Sequence, residues 1–341
     1  MKPRYPIHYR AAELPSYNAN TLRAMLSMRI TEKEIKSLGV GQLLVKMEAA
    51  PCNPSDIAFM QGGYNVVKAL PAVPGFEGCG IVADVGEGVD SEWIGKRVSL
   101  FIQGNEDGSW AEYVVSTSEQ LIPAAQELSA EQASMFFVNP FTAWGLMEMV
   151  AAHGASCFVI NAAGSRLSEY LLALAKKNGV AVIGIVRKEQ TAAALANKGF
   201  AGLLVSTDND FAAKLSDLIA KYNPTIFLDA VAGEQTGMIA GLMPFNSKIV
   251  VYGGLSGKEI SGINSLQLIF KKLTITGFDL NAWFANTDDK RKMLAAEHLS
   301  ALIAEKKVQN PVSITVALDA LVQGLRHYLG SMSEGKMLIR F

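Results

Sequence analysis

Histidine and cysteine are scarce in this chain, and neither is grouped. Its four histidines are His8, His153, His298 and His327, and its three cysteines are Cys52, Cys79 and Cys157. A structural zinc needs about four Cys or His ligands at short spacing, and a catalytic zinc about three His, Cys or carboxylate ligands. The first is excluded, and no His or second Cys stands at ligand spacing around Cys52, which reads as a small buried structural thiol. No metal is expected. An odd, scattered set of thiols also argues against a disulfide framework and suits a reducing compartment. An excess of charge of one sign is missing too: Lys and Arg total 31, Asp and Glu 32, for a net charge of −1. No basic field is therefore on offer to nucleic acid or an anionic membrane surface. No apolar run reaches the ~18 residues of a membrane span. The segment MKPRYPIHYRAAELPSYNAN has no long apolar stretch behind its basic residues, so no secretory signal is expected in it. Internal repeats and low-complexity linkers are absent. The expectation is a soluble, cytoplasmic protein.

What the chain does have is apolar content. Half of its 341 residues are hydrophobic and 18% are charged, enough for packed cores, and the length suggests two domains. Residues 43–130 hold short apolar runs broken by Gly, Pro and Asp (LLVKMEAA, GCGIVADVGEGV, GKRVSLFI, SWAEYVVS), the pattern of a β-rich, barrel-like domain. After residue 131 the pattern changes. SCFVINAA and AVIGIV read as buried strands, and LLVS, TIFLDAV, KIVVYGG and KLTITGFDL continue the alternation. SEYLLALAKKNG, TAAALANKG and FAAKLSDLIAKY read as helices between them. Such alternation means a parallel sheet covered on both faces, a doubly wound α/β domain. A tail follows, with the helix DDKRKMLAAEHLSALIAEKK, the run SITVAL, the segment ALDALVQGLRHYL and a last strand KMLIRF.

A fold of this kind binds dinucleotides at a small-residue turn after its first strand, with the pyrophosphate at the helix N-terminus. Here the turn is 161-NAAGSRLSEYL-171. Ser165 and Ser168 stand where glycines are expected, and Gly164 is the one flexible residue. A serine hydroxyl can donate to phosphate, and Arg166, followed by Leu167, can add a charge-assisted contact. An acid about 20 residues further on would hold the ribose 2′-OH of NAD. The sequence instead places Arg187 and Lys188 there, in GIVRKEQ, and a guanidinium grips a 2′-phosphate. The expected cofactor is NADPH.

These residues resemble the medium-chain dehydrogenase/reductase superfamily. The resemblance implies a GroES-like β-rich catalytic domain, residues 1–130 and 281–341, with a Rossmann doubly wound parallel-sheet domain, residues 131–280, inserted in it. Zinc alcohol dehydrogenases of that superfamily read C-H-T-D and G-H-E where this chain reads Asn53-Pro54-Ser55-Asp56 and Gly75-Phe76-Glu77. Both zinc ligands are thus replaced, with Cys52 one residue out of register. The chain is most similar to the zinc-independent branch, and within it to the mitochondrial-type trans-2-enoyl-CoA/ACP reductases. The stretches that carry this are AAPCNPSDIAFMQGGY, VNPFTAW, NAAGS, YGGLSG and GFDLNAW. Zeta-crystallin-like quinone oxidoreductases share the overall pattern.

The resemblance implies Tyr64 as proton donor, after the flexible pair Gly62-Gly63, and Asn53 as a hydrogen-bonding group for substrate or nicotinamide ribose. Asp56 is expected to cap a helix start. Thr142, Gly253, Gly254, Phe278 and Lys336 are implied cofactor neighbours. Trp110, Phe141 and Trp283 are candidates for lining a substrate pocket. A homodimer through the Rossmann sheet edge near KLTITGFDL is implied as well. Three functions fit: an NADPH-dependent enoyl-thioester reductase, an NADPH:quinone oxidoreductase or alkenal (enone) reductase, and a non-catalytic NADPH-binding protein motivated by the altered turn.

Overall fold

A computed structural model describes residues 5–332 and 334–341. The chain divides into two compact units, residues 1–138 with 293–341, and residues 139–292.

The first unit begins with an antiparallel ribbon, β1 (His8–Glu13) against β2 (Arg29–Glu34). Its main sheet is organised around the long strand β3 (Gln42–Pro51). β3 pairs with β4 (Glu77–Val85), which continues to β5 (Arg97–Phe101), while β6 (Tyr113–Thr117) takes the first half of β3 and β7 (Leu121–Pro123) follows β5. All these pairings are antiparallel, as short strands joined by tight turns allow. Phe59, Phe76 and Trp110 fill the core together with Met25 and Leu14. The turn into β4 depends on Gly75, whose φ is +99°. A Cβ there would lie 2.4 Å from Ser109 Oγ and 2.9 Å from the Trp110 backbone nitrogen, so no larger residue fits.

The second unit is a six-stranded, wholly parallel sheet. It contains β8 (Cys157–Ile160), β9 (Ala181–Val186), β10 (Gly202–Val205), β11 (Ile226–Asp229), β12 (Lys248–Val251) and β13 (Thr274–Gly277). The spatial order is β10-β9-β8-β11-β12-β13. Counting from β8 this is 3-2-1-4-5-6, the Rossmann order, with its switch point between β8 and β11. β8 and β11 are buried along their whole length, which is why they read as unbroken apolar runs. The helix Arg166–Lys177 buries Leu167, Tyr170, Leu171 and Leu174 along one face and ends in Lys176 and Lys177, which complement its dipole.

The tail returns to the first unit. β14 (Val312–Ala317) lies parallel to β15 (Lys336–Arg340), and β15 pairs antiparallel with the second half of β3. The division falls later than the expected 130/131 and 280/281, for identifiable reasons. Residues 130–138 are tied to the barrel: Cys79 Sγ donates to Ala130 O at 2.9 Å, Ser99 Oγ to Ala133 O at 2.7 Å, and the Val138 N–H to Glu77. The segment 281–292 is tied to the helix Val138–Ala152. Trp283 Nε1 and Arg291 both donate to Glu148, and Phe284 packs edge-on against Phe141. Among the described residues no helix is long and apolar enough to cross a membrane, and Cys52, Cys79 and Cys157 are all buried and free.

Candidate active site

In the Rossmann unit the parallel strands deliver their carboxyl ends to one edge, where such sheets bind ligands. Asn161–Ser165 leave β8 there, Arg187 leaves β9, Tyr252–Gly254 leave β12 and Phe278 leaves β13. The expected cofactor residues Gly164, Ser165, Arg166, Leu167, Arg187, Lys188, Gly253, Gly254 and Phe278 are therefore gathered on that edge. Thr142, 8% exposed, sits on the helix preceding β8.

The turn stays tight without a glycine fingerprint. Ala162 takes the left-handed conformation at φ +48°, and Ser165 caps the following helix by accepting from the Ser168 N–H at 3.2 Å. The Ser168 hydroxyl does not do what its position suggested. It is 1% exposed, donates to Ala162 O and pairs with Ser165 Oγ. Both hydroxyls thus brace the turn instead of facing a phosphate. Arg166 lies 3.1 Å from Glu169 on the first turn of the helix. The residues fit a dinucleotide. A Cβ at Gly254 would meet nothing within 4 Å, leaving open space against the backbone, whereas one at Gly164 would lie 2.7 Å from the Thr191 methyl, so packing as well as the turn holds that glycine. Of the first-turn N–H groups of this twelve-residue helix, that of Ser168 is taken by Ser165, and those of Arg166 and Leu167 have no partner within the helix, as a phosphate site requires. Arg187 is exposed at the end of β9, clear to hold a 2′-phosphate.

A lock at the switch point escaped sequence reading. Asp229 accepts from Asn161 Nδ2 at 2.6 Å, from Thr236 Oγ1 at 2.5 Å and from the Val231 and Ala232 N–H groups. It fastens the end of β8 to the end of β11. The available signal was a polar residue closing each of two apolar runs, CFVIN and TIFLD.

In the barrel unit the centre is a buried charged network. Asn53 precedes the helix Pro54–Met60, and its N–H donates to Asp56 Oδ2 at 2.7 Å, so Asp56 caps that helix from its third position. Its Nδ2 donates to Glu77 Oε1 at 2.7 Å, and its Oδ1 accepts from Lys336 Nζ. This amide orientation alone satisfies both partners. Glu77 Oε2 accepts from the Phe137 and Val138 N–H groups, and Asp56 Oδ1 from that of Phe76. Burial raises the Glu77 pKa and lowers that of Lys336. Burial likewise pushes Asp56 to about 7 and the Cys52 thiol well up, which leaves the thiol inert.

The roles expected of Asn53 and Lys336 shift accordingly. Asn53 is 1% exposed, and Lys336 is 8% exposed with its ammonium turned into the protein. Both side chains are turned into the buried network. Trp110 is fully enclosed and donates its indole N–H to Pro51 O, a core role instead of the pocket wall expected of it. Phe141 is fully buried too, and Trp283 is half-buried against it, their centroids 6.1 Å apart. Tyr64 is half-buried in the loop after Gly62, which has φ +75°, and its ring lies 4.9 Å from that of Phe76.

Zinc does not fit here. Asparagine and phenylalanine stand at the positions expected of two ligands, and a lysine ammonium bonds the asparagine. Among the described residues no group of three or more His, Cys, Asp or Glu side chains is placed to hold a metal.

A barrel with an inserted Rossmann sheet, the one carrying a buried polar network and the other a dinucleotide edge, defines a two-domain dehydrogenase. Comparison with known proteins agrees. Residues 39–126 match the alcohol dehydrogenase GroES-like domain, and residues 167–297 match a family described as zinc-binding dehydrogenase. The mitochondrial enoyl-[acyl-carrier-protein] reductase of Dictyostelium discoideum is 30% identical over 273 residues, 78% of this chain and 77% of that protein. The crystal structure of a provisionally assigned NADPH:quinone reductase from Mesorhizobium loti is similar at TM-score 0.90 and 30% identity, covering 99% of each chain. The mitochondrial 2-enoyl thioester reductase heterodimer of Candida tropicalis shares the fold at TM-score 0.82 and 22% identity, over 98% of this chain and all of that one. The chain belongs to the medium-chain dehydrogenase/reductase superfamily.

Proposed function

We propose that the protein reduces the carbon–carbon double bond of a 2-enoyl thioester, with Tyr64 as its proton donor and no metal. The protein is an oxidoreductase and NADPH is its reductant; the reading adds the acceptor and the acid. When bound, NADPH supplies a hydride to the β-carbon of the acceptor. The enolate left behind needs a proton at its α-carbon, and a phenol of ordinary pKa ≈ 10 is matched to that task. The observation that carries the reading is the placement of Tyr64. Its ring, at the end of a glycine loop, rests on Phe76, whose backbone N–H is held by Asp56 and which directly precedes Glu77 of the Asn53–Glu77–Lys336 network. The thioester reductases among its relatives support the same choice of substrate.

Crotonyl-CoA reduced with NADPH deuterated at its transferable position tests the reading. The label is expected on the β-carbon of butyryl-CoA, with a solvent proton on the α-carbon. Label at the α-carbon, or no butyryl-CoA at all, sinks it. Arg187→Ala tests the 2′-phosphate contact. Loss of a charge-assisted bond is expected to raise the KM for NADPH about 10- to 100-fold, leaving that for NADH within about twofold. An unchanged NADPH KM would remove Arg187 from the site.

A second reading, an NADPH:quinone oxidoreductase or alkenal reductase, is supported by the likeness to the M. loti structure. Relatives named as reductases set the non-catalytic reading aside. Two further expectations remain as proposals. A second copy is expected to pair along β13, which ends the sheet order with a free edge, beside the exposed Leu266, Ile269 and Phe270. The three free, buried cysteines support a reducing compartment, which we take to be the cytoplasm.

A further inference from the structure

The loop that carries Tyr64 is fastened by a residue that sequence reading passed over, Lys68. Residues 63–70 form neither helix nor strand, so the phenol depends on anchors for its position. Several converge on Lys68. Its backbone N–H donates to the Tyr17 hydroxyl at 2.9 Å, and its carbonyl accepts from the same hydroxyl at 3.0 Å. Its ammonium donates to the Glu106 carbonyl oxygen at 2.5 Å and lies 5.8 Å from the ring centroids of both Phe59 and Phe76. Phe76 is the ring against which Tyr64 packs, and Tyr17 meets Phe59 edge-on at 5.4 Å. Lysine is rarely enclosed without a carboxylate partner, yet Lys68 is 4% exposed and its ammonium is spent on a carbonyl oxygen and two rings. The ammonium and the phenol thus share one aromatic neighbour.

We propose that Lys68 is a positioning residue for proton delivery, its ammonium clamping the Tyr64 loop to Glu106 and to the Phe59–Phe76 pair. The inference rests on Tyr64 being the proton donor. Lys68 acts through the loop and through Phe76, without touching the substrate.

A clamp of this kind works in its charged form. Attraction to the two rings needs the cation, and a charged donor makes the stronger bond to a carbonyl oxygen. Burial pulls the Lys68 pKa down to about 8, against Asp107, Glu106 and Asp56, which favour the charged form. Lys33 opposes it as well, itself paired with Asp107 at 2.7 Å. The Tyr17 hydroxyl is the other titratable group in contact. The clamp therefore weakens as pH rises through about 8, below the range near 10 where an ordinary tyrosine loses its own proton.

The experiment uses the full chain as wild type, Lys68→Met, Lys68→Arg and Tyr64→Phe. Methionine reproduces the lysine stem out to Cε without the ammonium and is at home in a core, so Lys68→Met keeps most of the packing. Turnover of crotonyl-CoA and of benzoquinone is followed across about pH 6 to 10. Hydrogen exchange of residues 61–70 is read in the resting protein. Lys68→Met is expected to lower kcat for crotonyl-CoA about tenfold or more, since small misplacements of a reacting group are costly. KM should move less, the loss with benzoquinone should be smaller, and the alkaline limb near 8 should vanish. Exchange in the 61–70 segment should quicken. Lys68→Arg should restore kcat and carry the limb to higher pH, because a guanidinium stays charged. Equal losses on both acceptors that arginine does not restore would overturn the proposal, since that is the mark of a purely structural residue. Wild-type kcat and exchange in Lys68→Met, with crotonyl-CoA turnover lost in Tyr64→Phe, would sink the clamp alone. Crotonyl-CoA turnover that survives Tyr64→Phe would sink the donor reading, and the clamp's catalytic purpose with it.

Discussion

Tyr64→Phe is expected to lower kcat for crotonyl-CoA by about 10²- to 10⁴-fold, the range a positioned general acid contributes. The substitution removes one oxygen and keeps the ring that packs on Phe76. Hydride transfer leaves charge on an enolate, and without the phenol the α-carbon must take its proton from water. The KM for crotonyl-CoA should change little, because the interaction removed matters most in the transition state. Benzoquinone, whose reduction needs little acid help, should be reduced at a rate close to that of the wild type. Steady-state kinetics with both acceptors check this. A fall in both rates together would mean that the tyrosine supports the loop or the cofactor and donates no proton.

Lys336→Met is expected to be the most damaging single change to the barrel. Lys336 is the cation of a buried network that holds Asn53, Asp56 and Glu77, and its field draws the pKa values of both carboxylates down against their burial. Removing one partner of a buried charged group costs roughly 3–5 kcal/mol, on the order of a 10 °C loss in Tm for a domain of this size. The sign of the pH dependence follows. Burial already raises the Glu77 pKa, and without Lys336 it rises further. Native Glu77 then holds a proton that the unfolded chain has released, so stability falls as pH climbs from the ordinary glutamate range toward the raised value. The variant should accordingly be closest to wild type in mild acid. Adding Glu77→Gln should recover much of the loss, since a neutral amide needs no counter-charge. Thermal melts of the single and double variants across that range check both statements, and equal melting at all pH values would contradict them.

The Rossmann unit was legible because its central strands are covered on both faces. CFVI, AVIGIV and IFLD read as continuous apolar runs, and the helix expected over FAAKLSDLIAKY spans Phe211–Tyr222. The ribbon of β1 and β2 was not legible. RITEKE is polar and largely exposed, HYRAAE buries only Ala11 and Ala12, and the pairing joins segments separated by a helix. The domain limits slipped because residues 130–138 and 281–292 are placed by long-range contacts to Glu77 and Glu148, which local pattern does not record.

The site divides in the same way. The cofactor turn, Arg187 and the tyrosine loop are local features, readable from small residues at a strand end and from a glycine pair. The Asn53–Lys336 bond spans 283 positions, and nothing near either residue announces it. Ser168 looked like a phosphate ligand because spacing gives position and not direction; its hydroxyl turns inward to Ala162 O. Lys68 carried no signal at all, since a single lysine in a loop reads as solvated until its neighbours are known.

Side-by-side NADPH oxidation with crotonyl-CoA and benzoquinone, by wild type and by Tyr64→Phe, with NADH as the control reductant, tests the central claim most directly. Crotonyl-CoA turnover that requires NADPH and collapses in Tyr64→Phe, while any quinone turnover survives, is the expected result. Turnover of benzoquinone alone, indifferent to Tyr64, would contradict the enoyl reading and leave a quinone reductase in its place.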